Sequence, residues 1–207
     1  MIYAIVPAAG ESRRMGVQKL LLPFGSANVI SHVVGQLLHS GVDKTLVVVG
    51  HEADKVVKTL SGQAVTIVEN PDYASGMLSS VRCGLRALGP QGQAGPDAVL
   101  VALGDQPAIT ANLVDCLIQA FTGNRKGIVV PVFGGKRGHP LLFSAHYRHE
   151  ILTHYGEVGL RGLLHAHPDD VFEVLASTPA VLSDMDYPED YQRELATLEE
   201  QDASPRT

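Results

Sequence analysis

Small residues followed by hydroxyl and cationic side chains near the start of the chain suit the binding of a polyphosphate. The residues concerned are Ala8, Ala9, Gly10, Ser12, Arg13, Arg14 and Lys19. Residues with almost no side chain let backbone amides approach a ligand closely. Arginine forks grip phosphate oxygens, and lysine adds a point charge. The segment therefore predicts a phosphate-binding loop, with a solvated surface turn as the alternative.

Two common glycine-rich phosphate loops do not match this segment. The dinucleotide fingerprint is G-x-G-x-x-G, whereas Gly10 and Gly16 enclose the bulky sequence ESRRM. The Walker loop is G-x-x-x-x-G-K-[ST], whereas five residues separate Gly10 from Gly16 and Val17 comes next. The predicted loop is therefore of another type.

A single carboxylate, Asp105, directly follows the apolar segment 97–103. In that position it could bind Mg²⁺, a hard cation that prefers oxygen ligands and often takes one or two carboxylates together with phosphates. Aspartate is also favoured in turns for local reasons, so the alternative is a carboxylate that caps the turn at Pro107. Position alone leaves both interpretations open.

Two further carboxylates, Asp184 and Asp186, stand near the end of the chain and are separated by one residue. Along a strand this spacing points both side chains to the same side. The alternative is that they cap the final helix, where negative charge meets the positive end of the helix dipole. The two roles can coexist.

Neutral polar side chains cluster between a predicted strand and a predicted helix. They are Asn70, Ser75, Ser79 and Ser80, with Gly76 among them. Neutral donors and acceptors fit the recognition of a nucleotide base, because the burial of charge would be costly. The alternative is an ordinary corner between a strand and a helix, in which serines cap the helix.

The elements that must position these residues alternate along the chain. Strands are predicted at residues 2–6, 44–50, 64–69, 97–103, 127–132, 171–176 and 180–185, and helices at 29–38, 52–60, 77–88, 111–121, 145–152, 160–165 and 188–200. Pro7 should end the first strand because it has no N–H, and Thr110 is a plausible N-cap. The alternation predicts an α/β fold with a mostly parallel sheet between helices. The loop and Asp105 would then meet at one carboxyl edge.

Length, charge and cysteine content restrict the function further. The 207 residues, of which 45% are hydrophobic, fit one domain over 1–207, with 201–207 expected to be a frayed tail. The net charge of −6 argues against general nucleic-acid binding, and no signal segment or membrane-length apolar run is evident. Cys83 and Cys116 are expected to be buried free thiols. We therefore expect a cytoplasmic protein that binds neither nucleic acid nor membranes.

The loop sequence A-A-G-E-S-R-R-M-G-V-Q-K, residues 8–19, resembles the signature of the MobA-like nucleotidyltransferases, A-A-G-x-S-x-R-M-G-x-x-K. The chain most resembles the molybdenum cofactor cytidylyltransferases of this family. Guanylyltransferases of the group typically carry Gly-Gly where this chain has Ala8-Ala9-Gly10. Pro7 departs from the pattern, since an aliphatic residue is more usual there. Later motifs extend the resemblance over nearly the whole chain.

The resemblance implies a fold and a nucleotide site. The fold would be a Rossmann-like three-layer sandwich of the nucleotide-diphospho-sugar transferase type. Asp105, in G-D-Q-P, and Asp186, in D-x-D-x-P-x-D, would hold Mg²⁺. The nucleotide base would lie near Asn70, Gly76 and Ser80, in N-x-x-x-x-x-G-M-x-x-S.

The resemblance also implies an acceptor site. His139 lies in the G-H-P motif of the cytidylyltransferases, and Arg161 ends a segment similar to G-D-x-G-x-R. Both would contact the acceptor. Glu157 replaces the usual aspartate of that segment, which puts any role of its carboxylate in doubt.

The predicted function is Mg²⁺-dependent transfer of CMP from CTP to a molybdopterin-type phosphate, with release of pyrophosphate. Arg14, Lys19 and Asp105 would be catalytic. A molybdoenzyme of the xanthine dehydrogenase type is a candidate partner. Alternatives of the same chemistry use GTP, or transfer from CTP to a sugar or polyol phosphate. Alternatives of another class are an oxidoreductase and a non-catalytic chaperone that inserts cofactor into a molybdoenzyme.

Overall fold

A computed structural model describes residues 1–89 and 95–203 of the chain. Its strands are β1 (Ile2–Ala8), β2 (Pro23–Phe24), β3 (Ala27–Asn28), β4 (Lys44–Val49), β5 (Val65–Glu69), β6 (Ala98–Val101), β7 (Ile128–Phe133), β8 (Lys136–Arg137), β9 (Leu141–Ser144) and β10 (Val171–Leu175). In the described ranges the main sheet has the order β10-β7-β9-β6-β1-β4-β5, with β8 paired to β7, and β2 and β3 form a separate hairpin.

The sheet is mostly parallel, as the alternation of elements predicted. β1 lies near its centre and pairs in parallel with β4 and β6. The exception is β9, which runs antiparallel to both of its neighbours, β6 and β7. The carboxyl ends of β1, β4 and β6 therefore share one edge, where open parallel sheets bind ligands.

Helices cover both faces of the sheet. They are α1 (Val29–Leu38), α2 (Ala53–Thr59), α3 (Met77–Ala87), α4 (Ala111–Gly123), α5 (Arg148–Thr153), α6 (Arg161–Ala166) and α7 (Pro188–Ala203). Side chains from α1, α2, α4 and α7 pack in the core on one face, and those from α3, α5 and α6 pack in the core on the other. No helix in the described ranges combines the length and apolar character needed to cross a membrane.

β1 contributes to both cores because its successive side chains point to opposite faces. Ala4 and Val6 face the core under α1, whereas Ile5 faces the core under α3. Burial of an isoleucine side chain stabilises the fold by about 1.5–3 kcal/mol. Gly84 of α3 allows the close contact on that face, since a Cβ there would lie 2.8 Å from Ile5 Cγ2.

Several predicted boundaries are confirmed, and some expectations about local structure are wrong. Helix α1 spans the predicted residues, and the Thr110 side chain caps α4 by accepting from the Leu113 N–H. β1 does not end at Pro7 but continues to Ala8. Pairing of β1 with β6 stops at Ile5, so the missing N–H of Pro7 falls beyond that ladder.

The strand predicted at residues 180–185 is absent from the described part of the chain. The 3₁₀ turn Pro179–Leu182 replaces it, and residues 183–186, which follow the turn, have no ladder partner among the described residues. Cys116 is exposed rather than buried, whereas Cys83 is partly buried, and both are free thiols. Helix α7 extends to Ala203, so the first three residues of the expected tail are helical, and residues 204–207 lie outside the described part.

Candidate functional site

A pocket of about 480 Å³ opens at the carboxyl edge of the sheet. Its lining combines the loop after β1 with residues that follow β5, β6 and the 3₁₀ turn Pro179–Leu182. Of the predicted site residues it includes Ala8, Ala9, Gly10, Ser12, Arg13, Arg14, Lys19, Gly76, Ser80, Asp105 and Asp186. The structure thus brings together most of the residues assigned to the nucleotide and the metal, whereas Asn70, His139 and Arg161 lie outside this lining.

Hydrogen bonds within the loop after β1 hold it in one shape. Ser12 adopts a left-handed backbone conformation, with φ of 53°. Its hydroxyl donates to Gln18 Oε1 at 2.8 Å and accepts from the Lys19 N–H at 3.2 Å. The Gln18 amide then donates to the Gly10 carbonyl at 3.1 Å. These bonds fix the position from which the Lys19 side chain enters the pocket.

Two cations and two carboxylates form a chain of ion pairs in the pocket. Lys19 Nζ lies 2.5 Å from Asp105 Oδ2 and 3.1 Å from Asp186 Oδ1. Arg14 Nη1 lies 2.6 Å from Asp186 Oδ2. Burial tends to lower the pKa of Lys19, but the charges and hydrogen bonds of Asp105 and Asp186 outweigh burial and raise it. Lys19 is therefore a cation at neutral pH.

Two contacts connect the acidic segment 184–186 to the segment that follows β6. The Met185 N–H donates to the Asp105 carbonyl at 3.3 Å, and Gln106 Nε2 donates to Asp184 Oδ1 at 2.7 Å. Burial raises the pKa of Asp184, and the negative charge of Asp105 raises it further. Both effects oppose the ionisation of the Asp184 carboxyl group.

Asp190 caps the start of helix α7, a role that the sequence had left open for Asp184 and Asp186. One oxygen of the Asp190 carboxylate accepts from the backbone N–H groups of Asp186 and Tyr187, at 3.0 and 2.8 Å. This is the reach-back contact of a capping box, made from the first turn of α7. The Asp186 carboxylate is consequently available for the pocket.

The acid pair fits a divalent cation. An ammonium group between Asp105 and Asp186 shows that the two carboxylates converge on one positive charge at oxygen-ligand range. Their side chains are 20% and 40% exposed, so the position is open to solvent. No cluster of three or more His, Cys, Asp or Glu side chains suited to a metal occurs in the described residues. Two carboxylates with phosphate and water completing the shell is the pattern expected for Mg²⁺.

The corner between β5 and α3 forms another wall of the pocket. Gly76 and Ser80 line it together with Tyr73, Ala74 and Met77. Asn70 lies behind this wall, almost fully buried, with its amide bonded to Ser79, Ser80 and the Asp72 N–H. The structure therefore places Asn70 beneath the predicted base site rather than at its surface.

His139 lies within electrostatic range of both Asp105 and Arg161. Burial lowers the pKa of His139, Asp105 opposes this effect and the Arg161 charge adds to it, so the imidazole is neutral at pH 7. These interactions place both predicted acceptor residues within electrostatic range of the pocket. Arg82 serves a structural role here, because it donates to the carbonyls of Ile151 and His154 at 2.9 and 2.6 Å.

A Gly138→Ala substitution is expected to destabilise the segment that presents His139. A Cβ at Gly138 would lie 2.0 Å from the Val181 carbonyl oxygen, which also accepts from the His139 N–H at 2.8 Å. We expect the free energy of unfolding to fall by about 3 kcal/mol, measured by chemical denaturation. Gly156→Ala is the matched control, because a Cβ there meets nothing within 4 Å. Equal stability of the two variants would contradict the close packing at Gly138.

Sequence reasoning missed three contributors to the pocket. Gly50, at the end of β4, admits Ala9 and Tyr73, since a Cβ on Gly50 would lie 2.8 and 2.7 Å from theirs. A glycine directly after an apolar strand was the available signal for this close approach. Tyr73 lines the pocket, and buried Gln106 positions Asp184. Their roles depend on tertiary contacts, so residue type alone offered no signal.

Comparison with known proteins adds three findings. A family model described as MobA-like NTP transferase domain matches residues 4–171, a range that includes the loop and Asp105. A molybdenum cofactor cytidylyltransferase of Escherichia coli K12 is 26% identical over 191 residues, which cover 92% of this chain and 93% of that protein. A nicotine blue oxidoreductase of Paenarthrobacter nicotinovorans is 28% identical over 176 residues, covering 81% and 83%.

A solved structure gives a further comparison. A Mycobacterium tuberculosis protein in complex with manganese matches with a TM-score of 0.75 at 25% identity, covering 95% of this chain and 98% of that one. The likeness to that protein therefore extends over almost the whole α/β architecture, including the segment after residue 171.

Proposed function

The chain belongs to the MobA-like NTP transferase family and is a nucleotidyltransferase of the nucleotide-diphospho-sugar transferase fold, and from that premise we propose that it transfers CMP from CTP to the phosphate of a molybdopterin-type acceptor. Pyrophosphate is the second product. The observation on which the proposal rests is the convergence of Asp105, Lys19 and Asp186 directly beside the loop after β1.

The chemistry requires positioning and charge stabilisation more than proton transfer, because a phosphate nucleophile is already anionic. The acceptor oxygen forms a bond to the α-phosphorus, and the bond to the pyrophosphate oxygen breaks. Arg13, Arg14 and Lys19 offset the negative charge on the departing pyrophosphate. Backbone amides of residues 8–10 cradle the triphosphate.

Asp105 and Asp186 would hold Mg²⁺, which would withdraw charge from the phosphate oxygens. Binding of a metal–nucleotide complex requires the ion pairs of the pocket to be exchanged. The carboxylates of Asp105 and Asp186 would turn to the metal, and Lys19 and Arg14 would turn to the triphosphate. Each charged group thus keeps an opposite charge as a neighbour, which limits the cost of the exchange.

The acceptor would approach from the side of His139 and Arg161. A neutral imidazole can donate or accept a hydrogen bond without repelling Arg161, and Arg161 can pair with the acceptor phosphate. The CTP assignment is supported by Ala8-Ala9-Gly10 and by Gly138-His139-Pro140. The similarity to a molybdenum cofactor cytidylyltransferase extends the proposal to cofactor synthesis for a molybdoenzyme of the xanthine dehydrogenase type.

An oxidoreductase remains the rival from another class, since the relative from Paenarthrobacter nicotinovorans has that name. The chain lacks the G-x-G-x-x-G fingerprint of a nicotinamide or flavin dinucleotide site. A non-catalytic chaperone that inserts cofactor is the other alternative. The paired carboxylates of Asp105 and Asp186 favour a catalytic role instead.

The proposed reaction is tested by the release of pyrophosphate. We expect release from CTP, with molybdopterin cofactor as acceptor, to depend on Mg²⁺ and to exceed release from GTP by at least about tenfold. Release of pyrophosphate from GTP alone would support nucleotidyl transfer but contradict the assignment of CTP as the nucleotide. If the folded protein releases no pyrophosphate from either nucleotide, the proposed reaction is wrong.

A further inference from the structure

We propose that Asn70 sets the direction of the Ser80 hydroxyl, so that Ser80 presents a hydrogen-bond donor to an acceptor atom on the nucleotide base. The inference rests on the proposed function, because it concerns the base of the nucleotide that the pocket would bind. Asn70 is then a positioning residue that acts through Ser80.

The orientation of the Asn70 amide is fixed by a backbone group. The Asp72 N–H, which can only donate, lies 3.0 Å from the Asn70 side chain, so the atom that it meets is the oxygen Oδ1. The opposite end of the amide is therefore the NH₂ group. It donates to Ser79 Oγ at 2.9 Å and to Ser80 Oγ at 3.1 Å. Both serine oxygens accept from Asn70.

The hydroxyl protons of Ser79 and Ser80 differ in the acceptors that they can reach. The single Ser79 hydroxyl proton has two carbonyl acceptors within reach, those of Asp72 and Gly76, at 3.0 and 2.8 Å from Oγ. Ser80 Oγ has Asn70 as its partner and meets no acceptor for its own proton among residues 1–89 and 95–203. Ser80 is 3% exposed and lines the pocket, so an acceptor can reach this proton from the pocket.

The Ser80 proton restricts which bases can bind at this wall of the pocket. A buried hydroxyl that cannot donate costs free energy, and a hydrogen bond from the ligand removes that cost. A base with a carbonyl oxygen or an unprotonated ring nitrogen at this wall meets the requirement, and cytosine has both. A base that offers only an N–H there would leave two donors facing each other and would be rejected.

An Asn70→Asp substitution reverses the direction without changing the shape. One carboxylate oxygen still accepts from the Asp72 N–H, and the other takes the place of the NH₂ group and accepts from the serine hydroxyls. The Ser80 proton then turns away from the pocket. Ser80→Ala removes the same donor by another route, and Ser79→Ala is the matched control because Ser79 does not line the pocket.

The test is the dissociation constant of CTP, and in parallel of GTP, measured calorimetrically with Mg²⁺ on the folded full-length protein. We expect Asn70→Asp and Ser80→Ala each to weaken the preferred nucleotide about tenfold. The double variant should be no weaker than either single variant, and Ser79→Ala should stay within about twofold. Inorganic triphosphate, which has no base, should bind all variants equally.

Three outcomes would overturn the inference. They are an unchanged nucleotide affinity in Asn70→Asp or Ser80→Ala, penalties that add in the double variant, and an equal loss for inorganic triphosphate. A wild-type protein that binds triphosphate but neither nucleotide would remove the proposed function, and this inference with it. A wild-type protein that binds one nucleotide, with no effect of Asn70→Asp, would remove this inference alone.

Discussion

An Asp105→Asn variant is expected to release pyrophosphate about a thousandfold more slowly than the wild-type protein. The substitution keeps the side-chain shape but removes one of the two negative charges that would hold the metal. Lys19 would lose the closer of its two partners, the carboxylate oxygen at 2.5 Å. The measurement is the initial rate of pyrophosphate release at saturating Mg²⁺ and CTP, with thermal unfolding as a check that the variant is folded.

Asp184→Asn is the matched control for this experiment. Asp184 lines the same pocket, but its carboxylate bonds to Gln106 rather than to a cation, and burial raises its pKa. Asp184 makes no ion pair with Lys19 or Arg14, so we expect the loss of its charge to lower the rate by less than about tenfold. A larger loss in Asp184→Asn than in Asp105→Asn would move the metal site to Asp184.

A Lys19→Met variant is expected to change the affinities for metal and nucleotide in opposite directions. Lys19 lies between the two carboxylates, so a metal ion that binds both of them must displace a cation. Removal of that cation should tighten the binding of Mn²⁺ alone by about tenfold. The same change should weaken CTP and lower the catalytic rate by at least about a hundredfold, because a phosphate partner is lost.

The two affinities can be measured separately, Mn²⁺ by electron paramagnetic resonance without nucleotide and CTP by calorimetry. Arg13→Met is the matched control, since Arg13 pairs with Glu11 and its side chain is 81% exposed. Its Mn²⁺ affinity should remain within about twofold of the wild-type value. If Lys19→Met weakened Mn²⁺ as well, Lys19 would be holding the carboxylates in place rather than competing with the metal.

Local sequence signals were sufficient for most of the fold. The apolar period of residues 29–38 gave the bounds of α1, and Thr110 was identified as a cap because capping depends on residues only three positions apart. Pro7 was misjudged because its tolerance in β1 depends on where the neighbouring β6 stops. Ladder partners are distant in sequence, and a single strand gives no information about them.

The segment 180–185 shows how a wrong element can still position its side chains. Residues 183–186 form no ladder within the described ranges, yet burial alternates along them, with Met185 buried and both flanking aspartates at the pocket. The placement of Asp184 and Asp186 on one side depends only on that alternation. The strand assignment failed because an apolar run does not specify a hydrogen-bonding partner.

The candidate site likewise combines residues that the sequence identified with contacts that no local pattern could predict. The loop, Asp105 and Asp186 were found from residue type and resemblance, and their roles stay predictions. The bridge formed by Lys19 joins groups that are far apart in the chain, so no local pattern could predict it. Asn70 was selected for its polarity, but which of its atoms would be free for a ligand depended on Asp72, Ser79 and Ser80.

The reversed strand β9 has a consequence for how substrate choice could diverge in proteins of this architecture. Because β9 runs against β6 and β7, the turn between β7 and β9 returns to the edge of the pocket, and His139 stands in that turn. Changes in the turn at residues 134–135 would alter the proposed acceptor side without shifting the ladders of β1, β4 and β6 or the loop after β1. Under the proposed function, this turn could change together with the acceptor while the loop after β1, which would bind the triphosphate, stays the same.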